Sequence, residues 1–166
     1  MSNTNNNPLN LKDPSLFRQQ CLINGSWCDA DSGNTQDVTN PATGEVIGTI
    51  PEMGANETRR AIDAAKAAMP DWAGKTAKER ANILRKWHDL MLENTDDLAR
   101  LMTIEMGKPL AEAAGEVAYA ASFIEWFEEE GKRIYGDTIP EHQSDKRIIV
   151  LKQPIGVTAA ITPWNF

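Results

Sequence analysis

With 166 residues, 41% of them hydrophobic, the chain is long enough to close one core and has the composition of an ordinary globular protein. Its net charge of −7 excludes a general nucleic-acid surface, which needs a positive stripe to neutralise phosphates. No uninterrupted apolar run approaches the ~20 residues of a membrane span, and the polar start Met1 to Pro8 lacks both the apolar stretch of a secretory signal and the arginines of a transit peptide, so a cytoplasmic location is expected.

Residues 1–15 are rich in asparagine and lack periodicity, which predicts a disordered arm. Two hairpins should follow between Cys21 and Ile50. In the first, Asn24-Gly25 is a strong two-residue turn signal. Counting back from it pairs Ile23 with Ser26, Leu22 with Trp27 and Cys21 with Cys28. The two cysteines, the only ones in the chain, thus face each other at a separation a disulfide tolerates, although a reducing cytosol favours two free thiols. The second hairpin is signalled by Val38-Thr39, the turn cluster from Asn40 to Gly44, and Val46-Ile47 with Ile50.

At Gly54 the period changes. Asn56 is placed to cap a helix through about Met69, with Ile62, Ala65 and Met69 on one face and Pro70 ending it. Thr76 and Glu79 form a capping-box pair for a second helix, striped by Ile83, Leu84, Trp87, Leu90 and Met91. A third begins near Thr95, with Asp96 and Asp97 suited to its positive end, and stops at Gly107. Pro109 opens the longest helix, to about Arg133. Leu110, Ala113, Ala114, Val117, Ala121, Ile124 and Phe127 make one apolar stripe of it, while Tyr119, Phe123 and Trp126 lie on an adjoining face. Such a helix must touch two things: a sheet on one side, and on the other either more core or a cavity or second subunit. Glu128 to Glu130 ahead of Lys132 and Arg133 suggests a locally paired, solvated helix end. His88 and His142 are expected at boundary or solvent positions, and two distant histidines without Cys-His spacing give no metal site.

Strands should return after Gly136, most clearly over 146–152, where charged ends and an apolar middle suit an edge or bridging strand. The run Val157 to Ile161, entered through Pro154 and Gly156 and closed by Pro163, has the length and apolarity of a buried parallel strand. A parallel strand needs neighbours and crossover helices on both faces, so the expected fold is α/β, with these residues forming the amino-terminal part of a longer protein.

Several motifs add a family resemblance. Pro163-Trp164-Asn165-Phe166, preceded in order by Asn24-Gly25-Ser26-Trp27, by Thr39 to Gly44 and by Glu105-Met106-Gly107-Lys108-Pro109-Leu110, resembles the aldehyde dehydrogenase superfamily. The stretch from Ser122 to Pro140 resembles the succinate-semialdehyde branch, with glutarate-semialdehyde enzymes as the nearest neighbours. The resemblance implies an organisation of 1–15 as an arm, 16–136 as hairpins and helices of the cofactor-binding domain, 137–154 as strands bridging subunits of a homo-oligomer, and 155–166 as the first strand of a Rossmann-like sheet.

It also implies roles. Alone, Asn165 reads as a turn residue after a strand. By resemblance it is the side-chain amide that stabilises the oxyanion when a thiol adds to the aldehyde. Ile161, Thr162, Pro163, Trp164 and Asn165 are implied to meet the nicotinamide cofactor, NAD or NADP, at the carboxyl end of the strand. Tyr119, Phe123 and Phe166 are implied to border the aldehyde channel. The cysteine nucleophile and glutamate base of the implied reaction, oxidation of succinate semialdehyde to succinate in 4-aminobutyrate breakdown, match nothing in this sequence. These 166 residues alone are therefore expected to be inactive. Cys21 and Cys28 match neither role. The competing reading is a non-catalytic helical module whose apolar faces serve a partner.

Overall fold

The computed structural model describes residues 9–162. Three antiparallel hairpins and four helices follow one another in order: β1 (Cys21–Ile23) with β2 (Ser26–Cys28), β3 (Thr35–Thr39) with β4 (Val46–Pro51), then α1 (Ala55–Gly74), α2 (Ala77–Glu93), α3 (Thr95–Met106) and α4 (Leu110–Glu130), and last β5 (Asp137–Ile139) with β6 (Ile148–Val150). The first hairpin has the register counted from its turn, Cys21 opposite Cys28 and Leu22 opposite Trp27. Asn24 and Gly25 both take positive φ, 51° and 75°, as a turn matching the strand twist requires.

Residues 9–15 are not a loose arm. Leu9 and Leu11 are buried, and the backbone N–H groups of Lys12 and Asp13 each donate to the Asp97 carboxylate at 2.8 Å. Asp97 sits in the first turn of α3, where its charge also suits the helix dipole. The asparagine-rich composition that suggested disorder belongs mostly to residues 1–8, outside the described residues.

Helix α1 starts two residues before the expected position. Its cap is Gly54, and Glu57 fixes it there by reaching back to the Gly54 N–H at 3.1 Å while accepting from Asp31 N at 2.8 Å. Asn56 instead accepts from Arg59. Pro70 does not end the helix, which runs on to Gly74. The missing N–H costs one intrahelical bond, and the turn beyond is held by the Lys75–Asp71 pair at 2.5 Å. Helix α2 begins at the Thr76/Glu79 capping box, with Thr76 N donating to Glu79 at 2.7 Å. Helix α3 ends at Gly107, in the left-handed region at φ 81°. Helix α4 ends at Glu130 and continues as a 3-10 turn over Gly131–Arg133.

The core lies where α4 packs on α2 and α3, and its residues are small: Ala81, Ala99, Ala113, Val117 and Ala121. No large side chain among the described residues is completely enclosed. Helix α2 is rotated from its expected setting. Leu84, Arg85, His88 and Met91 turn inward, while Ile83, Trp87 and Leu90 face solvent. Two things set this rotation: the alanine-rich face of α4 admits close approach, and Arg85 reaches across to Glu125 at 3.2 Å and Glu128 at 2.5 Å. His88, expected at the boundary, is consequently buried, with Nδ1 2.9 Å from Asp89 Oδ1. On α4, Leu110 and Phe127 of the expected stripe are exposed, and Glu128 takes an inward place.

The fourth expected strand region differs as well. No strand forms over residues 157–161, and Ile155 and Ile161 are 96% and 99% exposed. A parallel strand takes its hydrogen bonds from flanking strands, and none of the described residues offers it one.

Candidate functional site

The exposed face of α4 carries the two described residues expected at the aldehyde channel. Tyr119 and Phe123, four apart and so on one side of the helix, meet edge to face with ring centroids 4.8 Å apart and planes at 74°. Both remain about half exposed. They line an open groove of about 500 Å³ with Lys108, Glu112, Gly115 and Glu116. A second groove of about 670 Å³ shares Phe123 and continues past Trp126 and Phe127 toward Arg133. Phe123 therefore stands between two hollows on one apolar ridge.

Lys108 and Glu116 close one end of the first groove as an ion pair, with only 10% of the lysine side chain exposed. The motif Glu105 to Leu110 is conspicuous in the sequence, but this pairing eight residues apart is not. It depends on the turn between α3 and α4 folding Lys108 back along α4, which no local spacing rule encodes. Within the same turn, Gly107 lies against Pro41: a Cβ there would come 3.1 Å from the proline ring. The fold thus brings two motifs separated by more than sixty residues into contact. At the end of α3, desolvation pushes the Glu105 carboxyl above its usual range although its side chain still reaches solvent.

The α2 to α4 seam beneath is ionic. Glu128 accepts from Lys132 and Arg85, in that order of influence, and these cations hold its carboxyl below the usual glutamate range.

Of the residues expected at the cofactor, Ile161 and Thr162 are described. Both are exposed. They are not packed against Tyr119 and Phe123. Pro163, Trp164, Asn165 and Phe166 lie outside the described residues. Among the described residues no cluster of His, Cys, Asp and Glu can hold a metal ion, and no helix is long and apolar enough to cross a membrane.

The sequence matches the profile of the aldehyde dehydrogenase family over residues 27–166. It is 73% identical over 95% of its length to a glutarate-semialdehyde dehydrogenase of Pseudomonas aeruginosa, and 71% identical over the same share to an NADP+ succinate-semialdehyde dehydrogenase of Escherichia coli. The chain spans about a third of the length of these curated relatives, 33% of each. Its fold superimposes on a crystal structure of an NADP-dependent enzyme of E. coli with a TM-score of 0.91 at 71% identity, covering 93% of this chain and 32% of that one. A succinate-semialdehyde dehydrogenase from Burkholderia pseudomallei gives a TM-score of 0.92 at 64% identity, over 95% and 33% of the two chains. By its sequence profile and by these relatives, the chain belongs to the aldehyde dehydrogenase family.

Proposed function

We propose that these residues form the amino-terminal part of an NAD(P)-dependent semialdehyde dehydrogenase that acts on succinate semialdehyde, in the cytoplasm and as a homo-oligomer. The observation that carries the reading is the pairing of an intact set of family motifs with large apolar faces left uncovered. Ile83, Trp87, Trp126, Phe127, Ile149 and Leu151 are all exposed, more than a self-sufficient globular protein usually shows. Residues 137–154 then bridge subunits, and residues 155–166 supply the first strand of the nucleotide-binding sheet.

In this reading Asn165 donates its amide N–H to the oxygen that becomes negative when a thiol adds to the aldehyde carbon. A neutral amide suits that position because it donates without losing a proton. The exposed backbone of Ile161 and Thr162, with Pro163 and Trp164, orients the nicotinamide beside the same carbon. When bound, the cofactor supplies the hydride acceptor that makes the oxidation possible. Tyr119, Phe123 and Phe166 line the approach and pack against the two methylene carbons of the substrate, while its carboxylate needs polar partners elsewhere. Relatives named for the succinate and the glutarate compounds are almost equally similar, and glutarate semialdehyde is accordingly the alternative substrate.

The test is expression of the coding sequence continued past the Phe166 codon. The longer protein should reduce NAD+ or NADP+ with succinate semialdehyde, and the 166-residue chain should not. Asn165→Ala in the longer protein should lower kcat by roughly 10²–10³-fold, the usual effect of losing one oxyanion donor. An active 166-residue chain, or an Asn165→Ala enzyme with unchanged kcat, would defeat the assignment. The ratio of kcat/KM for the four-carbon and five-carbon semialdehydes decides the substrate.

A further inference from the structure

The first hairpin carries a chemical feature unrelated to the proposed oxidation. Cys21 and Cys28 are directly opposite each other, so their side chains leave the same face of the ribbon. The two-residue turn makes Ile23 and Ser26 a hydrogen-bonded pair, and the alternation of an antiparallel ladder makes Cys21 and Cys28, two positions on, a pair of the same kind. Such pairs hold their Cα atoms about 5.5 Å apart, inside the span a disulfide accepts, but their Cβ atoms at the wide end of the cross-strand range, so that bridging them draws the strands together and leaves a strained, readily reduced bond.

The pair is fixed on both sides. On one is the tight Asn24-Gly25 turn; on the other, Gln20 donates its side-chain amide to Asp29 at 3.0 Å, closing the ribbon one position beyond the cysteines. Both thiols are free and half-buried. Cys28 is held only loosely, donating to the Ser26 carbonyl at 3.5 Å, a bond a rotation about its Cα–Cβ bond gives up.

We propose that Cys21 and Cys28 form a reversible thiol–disulfide site, oxidised within one chain by a small disulfide such as glutathione disulfide. One cysteine thiolate attacks a sulfur of glutathione disulfide, forming a mixed disulfide and releasing one glutathione thiolate. The opposite cysteine, losing its proton to solvent, then attacks the protein sulfur of the mixed disulfide. The Cys21–Cys28 bond forms, the bond to glutathione breaks, and a second glutathione thiolate leaves. Two protein thiols are oxidised, and one glutathione disulfide is reduced to two thiols. The second step is fast because the hairpin already holds the partner in place. The bridge is surface-accessible, and excess reduced glutathione reverses it.

The experiment treats the longer protein with glutathione disulfide, blocks remaining thiols with N-ethylmaleimide, and maps the unreduced peptides that carry Cys21 and Cys28 by mass. The expected product is those peptides joined within one chain and lighter by two hydrogens, with neither cysteine alkylated, and with both again alkylated after excess reduced glutathione. Cys21→Ser and Cys28→Ser should each stop at a persistent glutathione adduct on the remaining thiol. Three results on the unsubstituted chain would overturn the proposal: stable glutathione adducts on both cysteines, disulfide-linked dimers, or two thiols still open to alkylation. None of these outcomes depends on dehydrogenase activity.

Discussion

Gly107 meets two demands at once. It ends α3 in the left-handed region, where a side chain costs ~1–2 kcal/mol, and it leaves room for Pro41. Gly107→Ala should therefore destabilise the chain by about 1–3 kcal/mol, since backbone strain is joined by overpacking. Chemical denaturation with urea measures this: a loss no larger than the backbone strain would show that Pro41 moves aside freely, and no loss at all would count against the strain as well. The glycine was legible in the sequence as a helix stop, because a C-terminal glycine before a proline-opened helix is a local signal. Its contact with Pro41 was not, because nothing local relates residues 41 and 107. The same distinction separates Thr76 and Glu79, whose capping box was legible, from Lys108 and Glu116, whose pairing was not. Asn165 stood out only through its motif.

Helix α2 shows what local pattern misses at the scale of an element. Of its expected stripe, Leu84 and Met91 turn inward together with Arg85 and His88, while Ile83, Trp87 and Leu90 stay exposed. The pattern marks where apolar surface lies, not which neighbour covers it: among the described residues the Arg85–Glu128 pair lies on the side facing α4, and the rest of the stripe stays uncovered. Arg85→Met should loosen this seam and lower Tm by several degrees, with Glu128 then left to Lys132 alone; an unchanged Tm would mean that the alanine packing suffices.

The carboxylates impose a pH dependence. Asp13 and Lys12 backbone N–H groups lower Asp97, the Asp31 N–H lowers Glu57, and Lys132 with Arg85 lowers Glu128. With folded values below the ordinary 3.8 of aspartate and 4.5 of glutamate, the unfolded chain binds more protons as the medium turns acid. Their stabilisation is complete above those ordinary values and is lost as pH falls through the lower folded ones. Thermal melts should show a midpoint that falls steeply below about pH 4.5, and Asp97→Asn with Glu57→Gln should flatten that slope. A midpoint indifferent to acid would count against the three contacts.

On the scale of the whole molecule, a small alanine-rich core coexists with exposed Trp87, Trp126, Phe127 and Leu151. The purified 166-residue chain should bind an apolar dye and associate without limit as its concentration rises, whereas the longer protein should bind no dye and hold one defined oligomeric size; sedimentation with dye fluorescence separates the cases, and a monodisperse, dye-silent chain would favour the helical module. The α/β class and order of elements were legible because caps, turns and periods are local. The unformed strand at 157–161 shows the limit of that legibility: its apolar pattern is clear, but its hydrogen bonds must come from other strands. Long-range closure also sets a clock. Lys12 and Asp13 wait for an aspartate 84 to 85 residues further along. At ~5–20 residues per second, translation takes about 4–17 s to deliver it. Until then the backbone N–H groups of Lys12 and Asp13 lack the carboxylate that holds them, so the speed of the ribosome through the intervening codons sets how long this segment stays unanchored.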